Sequence, residues 1–231
     1  EFVMMQALVL SRRLLDFDRR LREQDWTTSM IAGAPPAREL RGRTIGIIGF
    51  GRIGREIAFL ARQFEMRILA LARHPSAPGR AIDPDRFFGP GELHALLHES
   101  DVIVVALPLS DGTRGLIGAA EFAAMKPDAI LINPARGAIV DEQSLYEALS
   151  RRRIAGAAID VWYQYPKRGS ERVQPTRFPM RELDNIIMTP HISGYTDEMA
   201  LGRMREIAAN VDRLARGEPL ENRIDHLHRG L

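Results

Sequence analysis

From Thr44 onward the chain alternates short, almost continuous apolar runs with longer segments whose apolar residues recur every three or four positions. The runs are Thr44–Ile48, Arg67–Leu71, Asp101–Leu107, Ala129–Asn133, Ile154–Val161 and Asn185–Thr189. Apolar side chains at consecutive positions suit strands covered on both faces, the usual condition in a parallel sheet. Between them the spacing predicts helices over Arg52–Phe64, Gly91–Glu99, Ala119–Met125 and Glu142–Arg152. Asp141 is placed to cap the last, and Arg151–Arg153 follow at its C-terminal end, where cations are favoured. Strand alternating with helix predicts an α/β protein with a doubly wound parallel sheet.

Helices flank this pattern. Val3, Ala7, Leu10, Leu14, Phe17 and Leu21 fall at alternating spacings of four and three, predicting one leading helix. Residues 2–10 are apolar nearly all round, which predicts burial against more than one neighbour. The chain starts abruptly, without Met and without the polar region or cleavage site of a signal peptide, and reads as truncated. Gly33, Pro35 and Pro36 mark residues 27–43 as a linker. At the other end Thr196 caps a helix with the stripe Leu201, Met204, Ala208, Val211 and Ala215, stopped by Gly217 and Pro219. The expected division is 1–38 for the leading helix and linker, 39–195 for the sheet domain, and 196–231 for the last helix and tail.

Composition narrows the class. The 231 residues hold no Cys, 45% hydrophobic and 27% charged residues, and 32 basic against 30 acidic side chains. No apolar run is long enough to span a membrane. The absence of Cys excludes a disulfide scaffold, an iron–sulfur site and a thiolate nucleophile, and fits a reducing compartment such as the cytoplasm. The near balance of charge argues against a nucleic-acid binder. His94 and His98 sit four apart on a predicted helix, but no third ligand accompanies them, so no metal site is expected.

The segment Thr44-Ile-Gly-Ile-Ile-Gly49-Phe50-Gly51-Arg52-Ile53-Gly54 closes a predicted strand and opens a predicted helix. A GxGxxG match in that setting points to a Rossmann-type dinucleotide site. Gly49 permits the tight turn, Gly51 lets backbone approach a pyrophosphate, and Gly54 lets helix and strand pack closely. Ile53, Ile57, Leu60, Ala61 and Phe64 are expected to form the buried stripe behind it. At the end of the next strand, Ala70-Leu71-Ala72-Arg73-His74-Pro75, there is no acid to hold a ribose 2′-hydroxyl. Arg73, helped by His74 or Arg80, suits a 2′-phosphate instead, which favours NADP over NAD.

Three further segments carry chemistry: Val105-Ala-Leu107-Pro108, Asn133-Pro134-Ala135-Arg136-Gly137 followed by Ala-Ile-Val-Asp141, and Thr189-Pro-His191-Ile-Ser193. With the glycine loop, in this order and spacing, the chain resembles the D-isomer-specific 2-hydroxyacid dehydrogenase family over essentially its whole length. The resemblance implies hydride transfer between NADP(H), or NAD(H), and a small 2-oxo or 2-hydroxy acid, of the glyoxylate or hydroxypyruvate reductase kind. It assigns Arg136 to the substrate carboxylate, His191 to acid/base work and Asp160 to the nicotinamide carboxamide. Leu107, Pro108, Thr113, Pro134, Ala135 and Ser193 are expected along the cofactor with the glycine loop. It further implies that most of the substrate domain is missing, so that the chain binds cofactor better than it catalyses. The leading helix is expected at a two-fold homodimer contact.

One position departs from the family pattern. Where members usually place a Glu that pairs with the histidine, the segment Asp160-Val-Trp-Tyr-Gln-Tyr165-Pro166 has Tyr165. A neutral phenol offers an imidazolium no opposite charge. Glu171 and Glu182 are candidate replacements. A formate-dehydrogenase-like hydride transfer and a non-catalytic dinucleotide sensor therefore stand as alternatives.

Overall fold

The computed structural model describes residues 1–26, 36–73, 82–167 and 172–223. Residues 1–193 and 194–231 form two compact units. The first opens with α1 (Phe2–Ser11) and α2 (Leu14–Arg22). The sheet domain then runs β1 (Thr44–Ile48), α3 (Arg52–Gln63), β2 (Arg67–Leu71), β3 (Arg86–Phe88), α4 (Leu93–Glu99) and β4 (Val102–Val105). It continues with α5 (Ala119–Ala124), β5 (Ile130–Asn133), α6 (Glu142–Ser150), β6 (Gly156–Ile159) and β7 (Ile186–Met188). The second unit holds α7 (Asp197–Ala215), whose first turn Thr196 caps through Met199 N–H at 3.1 Å and which ends at Gly217, φ +69°.

Among the described residues seven strands form one parallel sheet in the order β3-β2-β1-β4-β5-β6-β7. The apolar runs are continuous because both faces are covered, and successive residues serve opposite layers. Ile68, Ala70, Val102, Val104, Ile130 and Ile132 pack with Val3, Met4 and Ala7 of α1 and Ile57, Ala58 and Ala61 of α3. Leu69, Leu71, Ile103, Val105 and Leu131 pack on the other side with Leu96, Phe122, Leu145 and Leu149 from α4, α5 and α6. Asp141 caps α6 as expected, accepting from Ser144 N–H at 2.8 Å. The register pairs Ile48 with both Leu71 and Val105, and Ile159 with both Asn133 and Met188, so the C-terminal ends of these strands share one edge.

The structure corrects four expectations. The leading helix is broken at Arg13, whose φ of +53° is left-handed, so the predicted single stripe is two short helices. The α1 face fits the sheet, whereas α2 buries no residue and Asp16 draws Arg13, Arg19 and Arg20 together. As expected, α1 is buried against more than one neighbour, the sheet and α3, although Met5 and Leu8 remain exposed. Strand β3 was not expected; three residues are too few to make a period. Strands β4 and β6 stop at Val105 and Ile159, short of the predicted Leu107 and Val161, because the chain there leaves the ladder for the loops of the edge. Ile53 does not join the buried stripe: it is 66% exposed, as the second helical residue turned outward from the sheet, and Ile57, Ala58 and Ala61 form that face instead.

Candidate functional site

The first part of the edge is the turn from β1 into α3. Gly49 has φ +104°, and its N–H donates to Leu71 C=O at 2.9 Å. A Cβ there would stand 2.6 Å from Ala106 O. At Gly54 a Cβ would meet Gly49 O at 2.3 Å, so helix and turn touch through backbone. Gly51 differs from both: it caps α3 in an extended conformation and a Cβ on it would meet nothing within 4 Å. No side chain caps this helix. The turn thus has one open side, lying at the helix end where an anion is favoured. Phe50 is buried under the turn, edge-on to Phe87, and Arg52 is exposed. Arg73 is exposed two residues beyond Leu71, the register partner of Ile48. His74 and Arg80 lie outside the described residues.

The second part is built from side chains. Asn133, buried at the end of β5, donates to Arg136 C=O at 3.1 Å and accepts from Ala135 N–H at 3.0 Å. That closes the turn which presents Arg136, exposed, with its guanidinium donating to Ala135 C=O at 2.6 Å. Gly137 lies against the β6 loop so closely that a Cβ would be 2.5 Å from Trp162 O. Trp162 in turn donates its indole N–H to Thr189 C=O at 2.8 Å. Asp160, buried at the end of β6, holds the loop after β7: one oxygen accepts from Thr189 Oγ1 at 2.6 Å and Ile192 N–H at 2.9 Å, the other from Ser193 N–H at 2.8 Å. Burial pushes the Asp160 carboxyl up, but the hydrogen bonds from Ser193, Thr189 and Ile192 outweigh it and hold its pKa below the ordinary carboxylate range.

His191 sits in that loop with φ +60°, a left-handed conformation fixed by the carboxylate bonds to the two residues after it. Its Nδ1 is 3.2 Å from Tyr165 Oη, and Tyr165 Oη accepts from Trp162 N–H at 3.0 Å. Tyr165 therefore touches the imidazole, as its place in the sequence predicts. Among the described residues no carboxylate pairs with His191; Glu182 is exposed in a short helical turn, and Glu171 lies outside the described residues.

The remaining expected residues divide. Leu107, Pro134 and Ala135 are partly buried at the edge, and Pro108 is exposed. Thr113 Oγ1 donates to Pro108 C=O at 2.8 Å and accepts from Ser110 N–H at 2.8 Å, which fixes the loop after β4. His94 pairs with Glu121 at 2.9 Å. Asn133, Thr189 and Trp162 were not expected as site residues. The Asn at a strand end just before Pro134 carried a turn signal, whereas nothing local distinguished Trp162. Among the described residues a cavity of about 490 Å³ opens at the opposite strand ends, lined by Arg38, Asp101, Asp128 and Asn185 among others.

A parallel sheet whose glycine turn joins β1 to α3 beside a polar cluster defines a dinucleotide-binding α/β domain. Residues 4–193 match the profile of the D-isomer specific 2-hydroxyacid dehydrogenase NAD binding domain, and the chain belongs to that family. It is 38% identical over 221 residues to glyoxylate reductase of Thermococcus gammatolerans, covering 94% of this chain and 63% of that protein. It is 35% identical over 231 residues to D-3-phosphoglycerate dehydrogenase of Archaeoglobus fulgidus, covering 97% of this chain and 40% of the other. The chain therefore spans about 40 to 65% of the length of such relatives. Among solved structures it resembles D-lactate dehydrogenase with NAD+ from Lactobacillus jensenii, with TM-score 0.79 and 27% identity over 97% of this chain and 67% of that one. It also resembles the NADPH-dependent glyoxylate/hydroxypyruvate reductase from Sinorhizobium meliloti in complex with NADP and sulfate, with TM-score 0.78 and 26% identity over 98% and 67%. Among the described residues no helix is long and apolar enough to cross a membrane.

Proposed function

We propose that this chain holds a nicotinamide dinucleotide along the C-terminal edge of its sheet and takes part in reducing a small 2-oxo acid of the glyoxylate or hydroxypyruvate class. The observation that carries this reading is the juxtaposition, by strand register, of a glycine turn with an open side and the turns bearing Arg136 and His191. When bound, the cofactor supplies the hydride. The N-terminus of α3 and Gly51 hold its pyrophosphate, with Phe50 supporting the turn from beneath and Arg52 and Ile53 beside it. Leu107, Pro108, Thr113, Pro134, Ala135 and Ser193 lie along its path. Arg136 presents a planar fork to the substrate carboxylate, and His191 gives a proton to the oxygen at C2 as that oxygen gains charge. Asp160 orients His191 through the loop that it binds.

Structures of relatives hold NADP in one case and NAD+ in another. The acid-free stretch from Ala72 to Arg80, opening with exposed Arg73, favours NADP(H) here. A homodimer, in the cytoplasm, completes the reading: Met5, Leu8, Leu14, Leu15 and Leu21 leave an apolar face on α1 and α2, and light scattering on the purified chain checks the assembly.

Oxidation of NADPH in the presence of glyoxylate tests the activity. Arg136→Gln and His191→Gln are each expected to lose about a hundredfold or more in rate while NADPH still binds. In a chain of its relatives' length, NADPH binding without consumption of glyoxylate or hydroxypyruvate overturns the reductase reading and puts a dinucleotide sensor in its place.

A further inference from the structure

The hydrogen bonds around Tyr165 determine which face of the His191 imidazole is a donor. Tyr165 Oη has one proton to donate, and its acceptor side is engaged by Trp162 N–H, a group that can only donate, at 3.0 Å. The oxygen also lies 3.2 Å from His191 Nδ1, with the two rings tilted at 57° and their centroids 5.8 Å apart. Two arrangements satisfy these distances when the imidazole is neutral. In one, Nδ1 carries the proton and the phenol oxygen accepts twice, turning its own proton to solvent. In the other, the phenol donates to a bare Nδ1. The second pairs a good donor with a good acceptor, because a phenol oxygen delocalises its lone pair into the ring while an unprotonated imidazole nitrogen keeps its lone pair in the ring plane. It also places one donor and one acceptor on the phenol oxygen rather than two acceptors.

We propose that Tyr165 is a positioning residue that fixes neutral His191 as the Nε2–H tautomer, so that the neutral imidazole already offers a hydrogen bond to a 2-oxo acid, while transfer of a proton to that acid still starts from the imidazolium. A carboxylate in this place could only accept, and would force the proton of a neutral imidazole onto Nδ1, leaving Nε2 bare. The phenol holds no charge and adapts to both states: it donates to the neutral ring and, by rotating its proton away, accepts from the imidazolium. The backbone supports the arrangement. Asp160 fixes the left-handed turn at His191 through Ile192 and Ser193, and Trp162, anchored on Thr189 C=O, holds the phenol oxygen from the other side. Tyr165 is the one side chain bonded to this imidazole among the described residues. The consequence for substrate rests on the proposed reductase reading; the tautomer does not.

The test is nitrogen NMR of the labelled full chain well above the ordinary imidazole titration near ~6.5, with His191 assigned by its loss in His191→Gln. Wild type is expected to show a bare, hydrogen-bonded Nδ1 and a protonated Nε2. Tyr165→Glu should move the proton to Nδ1, and Tyr165→Phe should give a mixture of the two. Should Tyr165→Phe fail to fold, wild type against Tyr165→Glu still decides. Nδ1–H in wild type, or a spectrum unchanged by both substitutions, overturns the proposal. In the cofactor-loaded chain, oxamate, an inert 2-oxo acid analogue, should bind Tyr165→Glu about tenfold more weakly than wild type at the same pH, the size of one lost hydrogen bond. Equal oxamate affinity together with the expected tautomers would overturn the inferred donor role. Absence of cofactor binding would instead strike the reductase reading and leave the tautomer result standing.

Discussion

At the β1–α3 turn the polar groups of the sheet edge belong to the backbone, whereas at the ends of β5, β6 and β7 they belong to side chains bonded to neighbouring backbone and, at Asp160–Thr189 and Tyr165–His191, to one another. The glycine turn works by what is missing: backbone touches backbone at Gly49 and Gly54, and Gly51 leaves open space. The other loops work by connection. Asn133 closes the turn of Arg136, and Asp160, Trp162 and Tyr165 tie the loop after β6 to the loop of His191. The first construction tolerates little added volume, and the second depends on each acceptor finding its donor.

Substitutions at the glycines break this comparison with the largest effect. Gly54→Val forces a side chain into Gly49 O, a backbone atom with nowhere to move, and is expected to cost about 3 kcal/mol in urea denaturation and to abolish dinucleotide binding. Gly51→Ala is its counterpart: stability should change by less than about 0.5 kcal/mol, while NADPH binding weakens. Equal loss of stability in both variants would contradict the assignment of open space to Gly51.

Asp160→Asn probes the connected side. An amide nitrogen would face N–H donors that the carboxylate now satisfies, so a loss of about 2–3 kcal/mol is expected. The pH dependence has a definite sign. The native Asp160 pKa lies below the ordinary range, so its contribution is fully present above the unfolded value near ~3.9 and is lost as pH falls through the lowered native value. Acid unfolding of the variant, followed by circular dichroism, should lack this component. An acid limb as steep as that of wild type would show that the loop is held in another way.

The two regions also differ in how far the sequence discloses them. Gly49, Gly51 and Gly54 act within six residues of chain, so their spacing between an apolar run and a helical stripe was enough to infer the turn. The strands were legible because alternate residues of β1, β2, β4 and β5 feed two apolar layers. Arg136 and His191 were found through resemblance to a family. The bonds that orient His191 join residues 26 to 33 positions apart, as with Tyr165 and His191 or Asp160 and Ser193, and no local period encodes such a pairing. Trp162 shows the limit most clearly, since its carbonyl packs against Gly137 and its indole against Thr189. The break at Arg13 was equally hidden, because the apolar spacing continues across it.

The central claim, that this edge is a dinucleotide site with Arg73 choosing between phosphorylated and unphosphorylated cofactor, is tested most directly by titrating the chain with NADPH and with NADH and following nicotinamide fluorescence. The account predicts that NADPH binds about ten- to a hundredfold more tightly, the range of a charged hydrogen bond, and that Arg73→Ser removes the difference while NADH binding is unchanged. Equal or tighter binding of NADH would contradict the role given to Arg73, and binding of neither cofactor would contradict the site itself.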